Sequence, residues 1–348
     1  MSACGEALQA GARLSVAPQE VRAEFVDSPE RLAALAGKWA ALWSALPAAT
    51  PFQSPDWLLT WWEHYGEGRP LFSFAFWESG KLVGLAPLYI FASALNPCRR
   101  VFLLGTGNTD YADVVFHPEF SLHCCRLLMN EIQARGALWD VCEFHRLRPS
   151  APLIRDAGDV RGLRVEVMNE HPCPVLELNG CAADTMLKKA QHYARKLERT
   201  CPFEVEQATA SSMDELLDAL ERLHEQRWRA KGMPGVLSDP RDRSFHHKVA
   251  NAFCRSGLVW LYALRIDRQV VAVLYGFRRG TRTYFYLSGF DPEYGHLSVG
   301  TVLLGYAIDR ARAAGSLWFD FLQGREPYKY RWGAVDEPVF GKTIHKGL

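Results

Sequence analysis

The sequence lacks the features that would make a metal, a disulfide or a membrane its organising principle. It has nine cysteines, an odd number, and no pair stands at C-x-x-C spacing. Neither a zinc site nor a secreted disulfide framework is expected. Charge is nearly balanced, with 40 Lys and Arg against 39 Asp and Glu. That excludes a broad basic surface for a nucleic-acid backbone, although a small basic site is compatible with it. No stretch approaches the roughly 18 uncharged apolar residues of a membrane span. The Ala/Trp-rich run 32–46 is interrupted by Lys38 and ended by Pro47. Residues 1–24 carry Glu6 early and have no basic start ahead of an apolar run, which reads against a signal peptide. G-x-S-x-G and H-E-x-x-H are both absent, so serine-hydrolase and zinc-protease readings have no support. The expectation is a cytoplasmic protein that needs no metal.

What is present is a repeated order of elements. The 348 residues, 48% of them apolar, are enough for two domains, each with its own core. In the first half, Ser28-Pro29 reads as an N-cap with proline at the first helical position. Leu32, Leu35, Trp39, Leu42, Trp43 and Leu46 continue at helical spacing. A second helical patch (Trp57, Leu58, Trp61, Trp62) precedes a hairpin that turns at Glu78-Ser79-Gly80-Lys81. Then come a strand at 101–104, a Gly-rich turn, a helix over about 121–135 and the closing strand of GALWDVCEF. The second half repeats this order. Ser212 and Glu215 frame a capping box before a leucine-rich helix. A hairpin turns at Asp267-Arg268, TRTYFYLSGF is a strand, 298–314 a helix and SLWFDFLQ the closing strand. Gly136-Ala137-Leu138-Trp139 and Gly315-Ser316-Leu317-Trp318 mark the same helix-to-strand corner. The predicted fold is α/β (α+β), with two like domains, each a mixed, mainly antiparallel sheet flanked by helices. The expected layout is a poorly ordered 1–24, a first domain over 25–170 and a second over 171–348. The Pro-containing His171-Pro172-Cys173-Pro174 lies at the boundary.

The best candidate for chemistry is FDPEYGHLSVGTVLLGYAIDRA, where a strand ends at Phe290 and a helix opens near Ser298. A helix start offers unpaired N–H groups and the positive end of the dipole, worth about 0.3–2 kcal/mol to an anion. Gly300 would let a pyrophosphate approach the backbone. The plain alternative makes Ser298 an N-cap and Gly300 a packing residue.

Four stretches resemble the GNAT-like acyltransferases of the CelD/BioF2 type, associated with cellulose and exopolysaccharide biosynthesis and related to the FemAB peptidoglycan transferases. They are PFQSPDWLLTWW, the Gly-Thr-Gly-x-x-Asp-Tyr turn at 105–111, the basic helix KKAQHYARKLER, and the run from Phe290 to Trp332. Within the last, YKYRWG is similar to the FKxxFG signature of Fem transferases, in which the lysine is thought to steady the tetrahedral intermediate. The resemblance implies two tandem GNAT-like domains and an acyltransferase whose donor, acyl-CoA, sits at Leu297, Ser298, Val299, Gly300 and Thr301. It departs from the usual R/Q-x-x-G-x-G/A loop, because one glycine and no arginine remain there. An aminoacyl-tRNA donor of the Fem kind and a non-catalytic partner of a polysaccharide-synthesis machine are the rival readings. The helix start of the first half, Phe120-Ser121-Leu122-His123, has no glycine, as expected of an inactive copy.

Attack of an amine on an activated carbonyl needs an oxyanion stabiliser, a proton acceptor and a proton donor. The resemblance assigns the first role to Lys329. Asp320, in an otherwise apolar strand, is a candidate base or the partner of Lys329 or an arginine, since an unpaired carboxylate there is costly. Tyr328 is a candidate proton donor or a packing aromatic, and Glu326 an alternative base. Lys188, His192, Arg195 and Arg199 share one helix face. That face is either solvated or a phosphate-binding surface, and the resemblance directs His192 and Arg195 toward substrate. Arg227 and Trp228 either line the same groove or pack. Asp110 and Tyr111 are expected to shape the cleft between the halves. Gly105-Thr106-Gly107 is not a dinucleotide loop, because Asp110 stands where a third glycine belongs. His246-His247, on a polar helix, is expected at the surface.

Overall fold

The computed structural model describes residues 20–155, 162–229, 232 and 235–347. The first half opens with β1 (Val21–Val26), α1 (Pro29–Ala34), α2 (Ala36–Ser44) and α3 (Pro55–Tyr65). Next come β2 (Ser73–Glu78), β3 (Lys81–Ala86), β4 (Leu88–Ser93), β5 (Asn96–Leu103) and β6 (Val115–Phe116). It ends with α4 (Ser121–Ala134), β7 (Val141–Leu147), α5 (Pro152–Arg155) and β8 (Leu163–Asn169). Local signals account for much of this. The hydroxyls of Ser28 and Ser54 accept from Arg31 N and Trp57 N, so each Ser-Pro pair starts a helix. Ser79 and Gly80 both have positive φ and close the β2–β3 hairpin. Part of the segment expected to be poorly ordered is a strand: Val21–Val26 pairs antiparallel with β2 and buries Val21 and Val26. Residues 1–19 lie outside the described residues.

The second half begins with β9 (Cys173–Glu177), α6 (Asp184–Thr200), β10 (Phe203–Gln207), α7 (Met213–Arg229) and α8 (Pro240–Arg255). β11 (Val259–Ile266), β12 (Gln269–Arg279), β13 (Arg282–Phe290), α9 (Val299–Ala313) and β14 (Trp318–Asp320) follow. α10 (Pro327–Arg331), β15 (Val335–Glu337) and β16 (Phe340–Lys346) complete the chain. The expected capping box does not form. The Ser212 hydroxyl accepts from Thr209 N, and Glu215 pairs with Arg265 at 2.8 Å, where a charged partner outcompetes a backbone donor.

The strands make sheets of four (β1-β2-β3-β6), five (β4-β5-β7-β16-β8) and seven (β10-β11-β12-β13-β14-β9-β15). Most pairs are antiparallel, flanked by helices, as the sequence predicts. The repeat is visible in two parallel crossovers, β5–α4–β7 and β13–α9–β14. One connection leaves the simple tandem plan. β16, at the end of the second half, inserts between β7 and β8 of the first and pairs antiparallel with both.

Three clusters form the core. One lies within the first half, around Phe72, Phe74, Leu128 and Trp139, and one within the second, around Leu176, Tyr262, Leu303 and Phe319. The third joins the halves, with Trp57 and Phe52 of the first packed edge-on against Phe245 and Phe277 of the second. Arg279 reinforces this seam. Its guanidinium lies 3.6 Å from the Trp43 ring centroid and donates to the carbonyls of Trp43, Leu46 and Ala49 at the end of α2. The seam matters for function because it fixes the first half against the site of the second.

Candidate active site

Strands β13 and β14 run parallel for only three residue pairs, Arg282–Tyr284 against Trp318–Asp320. Beyond Tyr284, β13 keeps only β12 as a neighbour, and the sheet opens into a wedge. A β-bulge between Tyr275 and Gly276 lies just before it, where a Cβ on Gly276 would come 2.1 Å from the Tyr284 carbonyl oxygen. A cavity of about 390 Å³ fills the wedge. Ala272–Leu274, Phe285 and Ser288–Phe290 form its floor, and Ser298, Val299, Gly300 and Thr301 its far wall. Leu297 does not line it.

Ser298 adopts a left-handed conformation, φ 60°, and its carbonyl accepts the first bonds of α9, from Thr301 N at 2.9 Å and Val302 N at 3.1 Å. The N–H groups of Val299 and Gly300 come before those bonds, as the orphan donors of a helix start do. Gly300 sits close to the Phe290 ring, 3.2 Å from where a Cβ would be. Gly300 therefore packs tightly and also lines the cavity, and Ser298 holds the N-cap position without a side-chain hydrogen bond.

Of the catalytic candidates, Tyr328 lines the cavity, edge-on to Phe285 and Phe321. Lys329 points the other way. It is 3% exposed, and its Nζ donates to the carbonyls of Gln323 at 2.8 Å, Gly324 at 3.1 Å and Leu322 at 3.3 Å. Glu326 pairs with it at 2.9 Å. An ammonium has three donors, shared here among three carbonyls and the Glu326 carboxylate, so Lys329 is fully engaged with the loop. These bonds brace a strained segment: Leu322 has φ 55° and Gly324 φ 116°.

Asp320 is fully buried and pairs with Arg282 at 2.7 Å, the arginine alternative of the sequence reading. It also accepts from Leu322 N and the Tyr111 hydroxyl, both at 2.9 Å. Burial raises its pKa, opposed by Arg282. Arg282 in turn holds Glu337 by two bonds of 3.0 Å.

The 105–111 turn is pinned by α3. Trp57 donates to Thr109 Oγ1 at 2.9 Å and Trp61 to Asn108 Oδ1 at 3.1 Å, which joins two stretches singled out in the sequence. The turn carries Tyr111 to the seam between the halves, where it bonds Asp320, and holds Asp110 beside it. Asp110 is 14% exposed and lies 3.3 Å from Arg146. Burial lifts its pKa to about 6 against the pull of Arg146, and nearby Asp320 raises it further. A second cavity, of about 640 Å³, opens beside this turn. Thr109, His145, Arg146 and Glu170 contribute to it from the first half, Gln323 and Arg325 from the second. The segment 322–332 is thus the partition between the two cavities, with Tyr328 on one side and Gln323 on the other.

The basic helix α6 is turned differently from the expectation. It buries Leu187, Ala190 and Leu197, so Lys188, His192, Arg195 and Arg199 point to solvent. Met186, Lys189 and Tyr193 are the residues that reach the cavity. Trp228 donates to His224 within α7 and lines neither cavity, while the Arg227 side chain lies outside the described residues. His246 is buried against Phe245, Tyr275 and Tyr286, because it shares a helix face with Val249, Ala250 and Phe253. His247 is the surface residue, paired with Glu221 at 3.1 Å and with Asp214 and Asp218 beside it. Arg146, Arg282 and Arg331 are residues here that the sequence reading missed, and it left Lys189 beside the basic face rather than in the site. Helical phase alone would have found Lys189.

Residues 185–330 match the family model described as an acetyltransferase (GNAT) domain. Over those residues the chain carries a GNAT acetyltransferase domain, and it is an enzyme of the acyltransferase class. No curated protein matches it in sequence. Among solved structures, FemX is similar with a TM-score of 0.63 at 11% identity, covering 93% of this chain and 97% of that one. A conserved protein from Bacteroides thetaiotaomicron gives 0.61 at 12%, covering 93% and 100%. The C-terminal domain of a protein described as a lysylphosphatidylglycerol synthetase from Agrobacterium fabrum gives 0.57 at 15%, covering 91% and 92%. These likenesses concern the fold. No helix among the described residues is long and apolar enough to cross a membrane.

Proposed function

We propose that the protein is an N-acyltransferase that takes an acyl group from acyl-CoA and passes it to an amine. The acceptor is a small molecule or a cell-envelope or polysaccharide-related precursor, the latter in keeping with the CelD/BioF2 resemblance. The observation that carries this reading is the wedge between β13 and β14. It opens a cavity that runs from strand edges to the start of α9 and has Tyr328 in its wall. A long, narrow thioester fits such a wedge, with its phosphates at the α9 end and its carbonyl near Tyr328. The acceptor approaches from the side of the second cavity, past the 322–332 segment that borders both. Its amine lone pair forms the new C–N bond, the C–S bond breaks, and the thiolate takes a proton from Tyr328. The proton lost by the attacking nitrogen goes to Asp110, which lines neither cavity itself but lies 3.3 Å from Arg146 in the wall of the second and has a raised pKa that suits a base at neutral pH. Lys329 keeps the partition in shape and Asp320 anchors it.

Calorimetric titration with acetyl-CoA and a longer acyl-CoA tests the donor, with Gly300→Glu as control. Saturable binding that the glutamate abolishes supports the reading. Absence of binding at millimolar ligand counts against it. An aminoacyl-tRNA donor is the second reading, favoured by the cations of α6, none of which forms an ion pair among the described residues. Retained tRNA and aminoacyl transfer without CoA would select it.

A further inference from the structure

The donor cavity has one property that neither its shape nor the GNAT match explains. Among the described residues its lining includes no carboxylate, and its charged side chains are Lys189 and Arg331, both positive. They come from different elements, α6 and α10, and both are exposed. Neither forms an ion pair among the described residues, in a protein whose formal net charge is only +1. Lys189 stands with its ammonium 5.7 Å from the Tyr193 ring, at the cavity rim. The helix start that faces them has a single glycine and no arginine, so the backbone alone offers few donors to an anion. Two unpaired cations lining one cavity with no carboxylate in its wall are matched by a ligand that carries multiple negative charge at one end.

We propose that Lys189 and Arg331 form a phosphate clamp, one residue from each of two helices, that selects a donor carried on a phosphorylated handle. The clamp takes over the task that a fuller glycine- and arginine-bearing loop would perform at the start of α9. This rests on the donor reading above and adds the residues that determine donor specificity.

The test measures binding of acetyl-CoA, of S-acetylpantetheine and of inorganic pyrophosphate to the full chain. It compares the native protein with Lys189→Glu, Arg331→Glu and, as a matched charge change on α8, Arg255→Glu. Thermal melts confirm that each variant folds. The clamp predicts that either cavity substitution weakens acetyl-CoA about tenfold or more. S-acetylpantetheine affinity stays unchanged, Arg255→Glu has no effect, and added salt narrows the preference for the phosphorylated ligand. Equal acetyl-CoA affinity in native and variant proteins overturns the clamp and leaves the donor reading standing. If acetyl-CoA fails to bind the native chain, the CoA reading falls, and pyrophosphate decides the clamp separately. Pyrophosphate binding lost in both cavity variants supports it for another phosphorylated donor. No pyrophosphate binding overturns it.

Discussion

Tyr111 of the first half donates its phenolic hydrogen to Asp320 of the second at 2.9 Å, in a place sealed from solvent. Asp320 belongs to the strand that leads into the partition between the cavities, so this bond ties the first half directly to the site. Replacing Asp320 by Ala removes one member of a buried ion pair. Arg282 keeps Glu337, so the cost should fall near the low end of the usual range, about 3 kcal/mol. Tyr111→Phe should cost about 1–2 kcal/mol. The double variant should cost less than the sum, because both changes break the same bond. Urea denaturation of the three variants measures this.

Asp110 gives the reaction a pH signature. Its carboxyl is held up to about 6 by burial, so it is the deprotonated form that becomes available as pH rises through that value. Acyl transfer should therefore rise through about pH 6. Asp110→Asn should lower the rate by about a hundredfold or more and flatten that limb. The stability effect has the opposite sense. A carboxyl whose pKa is raised on folding stabilises most below its unfolded value, and that contribution is lost as pH climbs through 6. A native protein that melts at a constant temperature across this window, with Asp110→Asn behaving alike, would contradict the assignment.

The helices and hairpins were legible because their signals are local: a Ser-Pro start, a two-residue turn, an apolar period. The cavity wall at 298–301 was legible for the same reason. Arg282 and Arg146 were not, since each acquires its role from a carboxylate far away in sequence, Asp320 and Asp110. The destination of β16 was hidden too, because strand pairing across the chain leaves no mark in a strand's own alternation. His246 illustrates a different failure. Its neighbours in sequence are polar, but its neighbours at three, four and seven residues are Val249, Ala250 and Phe253, and a helix buries by phase.

Tyr275 is fully buried, and its hydroxyl has no hydrogen-bond partner among the described residues. Both ring nitrogens of His246, 5.9 Å away between centroids, are in the same position. Burial holds His246 neutral, with its pKa lowered to about 3. An unmade hydrogen bond costs about 1–3 kcal/mol, so Tyr275→Phe should be neutral or raise stability within that range. A loss above about 1 kcal/mol in urea denaturation would mean that the hydroxyl is satisfied.

Lys329→Met separates bracing from direct catalysis. The substitution keeps most of the side-chain volume but leaves the carbonyls of Leu322, Gln323 and Gly324 without their donor. The strained segment should relax, at a cost of about 1–3 kcal/mol, and the partition between the cavities with it. Because both binding surfaces share that partition, KM for donor and acceptor should rise together with a fall in kcat. A pure oxyanion stabiliser would lower kcat with both KM values and the melting temperature unchanged, and that result would refute the bracing role.

The last strand supplies the severest test of the architecture. β16 follows the whole GNAT domain in sequence, yet it is the central link between β7 and β8 in the first half. Ile344 is buried in the first half's core, and Lys342, buried as well, donates to the Leu153 carbonyl at 2.7 Å. Ile344→Ala should cost about 2–5 kcal/mol through lost contact and the cavity left behind. Removing 340–347 should go further, exposing the edges of two strands at once and causing aggregation. The damage should begin in the first half, distant from the donor cavity. Hydrogen exchange on Ile344→Ala should therefore show faster exchange in β7 and β8 while β11 to β13 stay protected. Uniform loss of protection in both halves would mean that the seam transmits the disruption and that the two halves unfold as one unit.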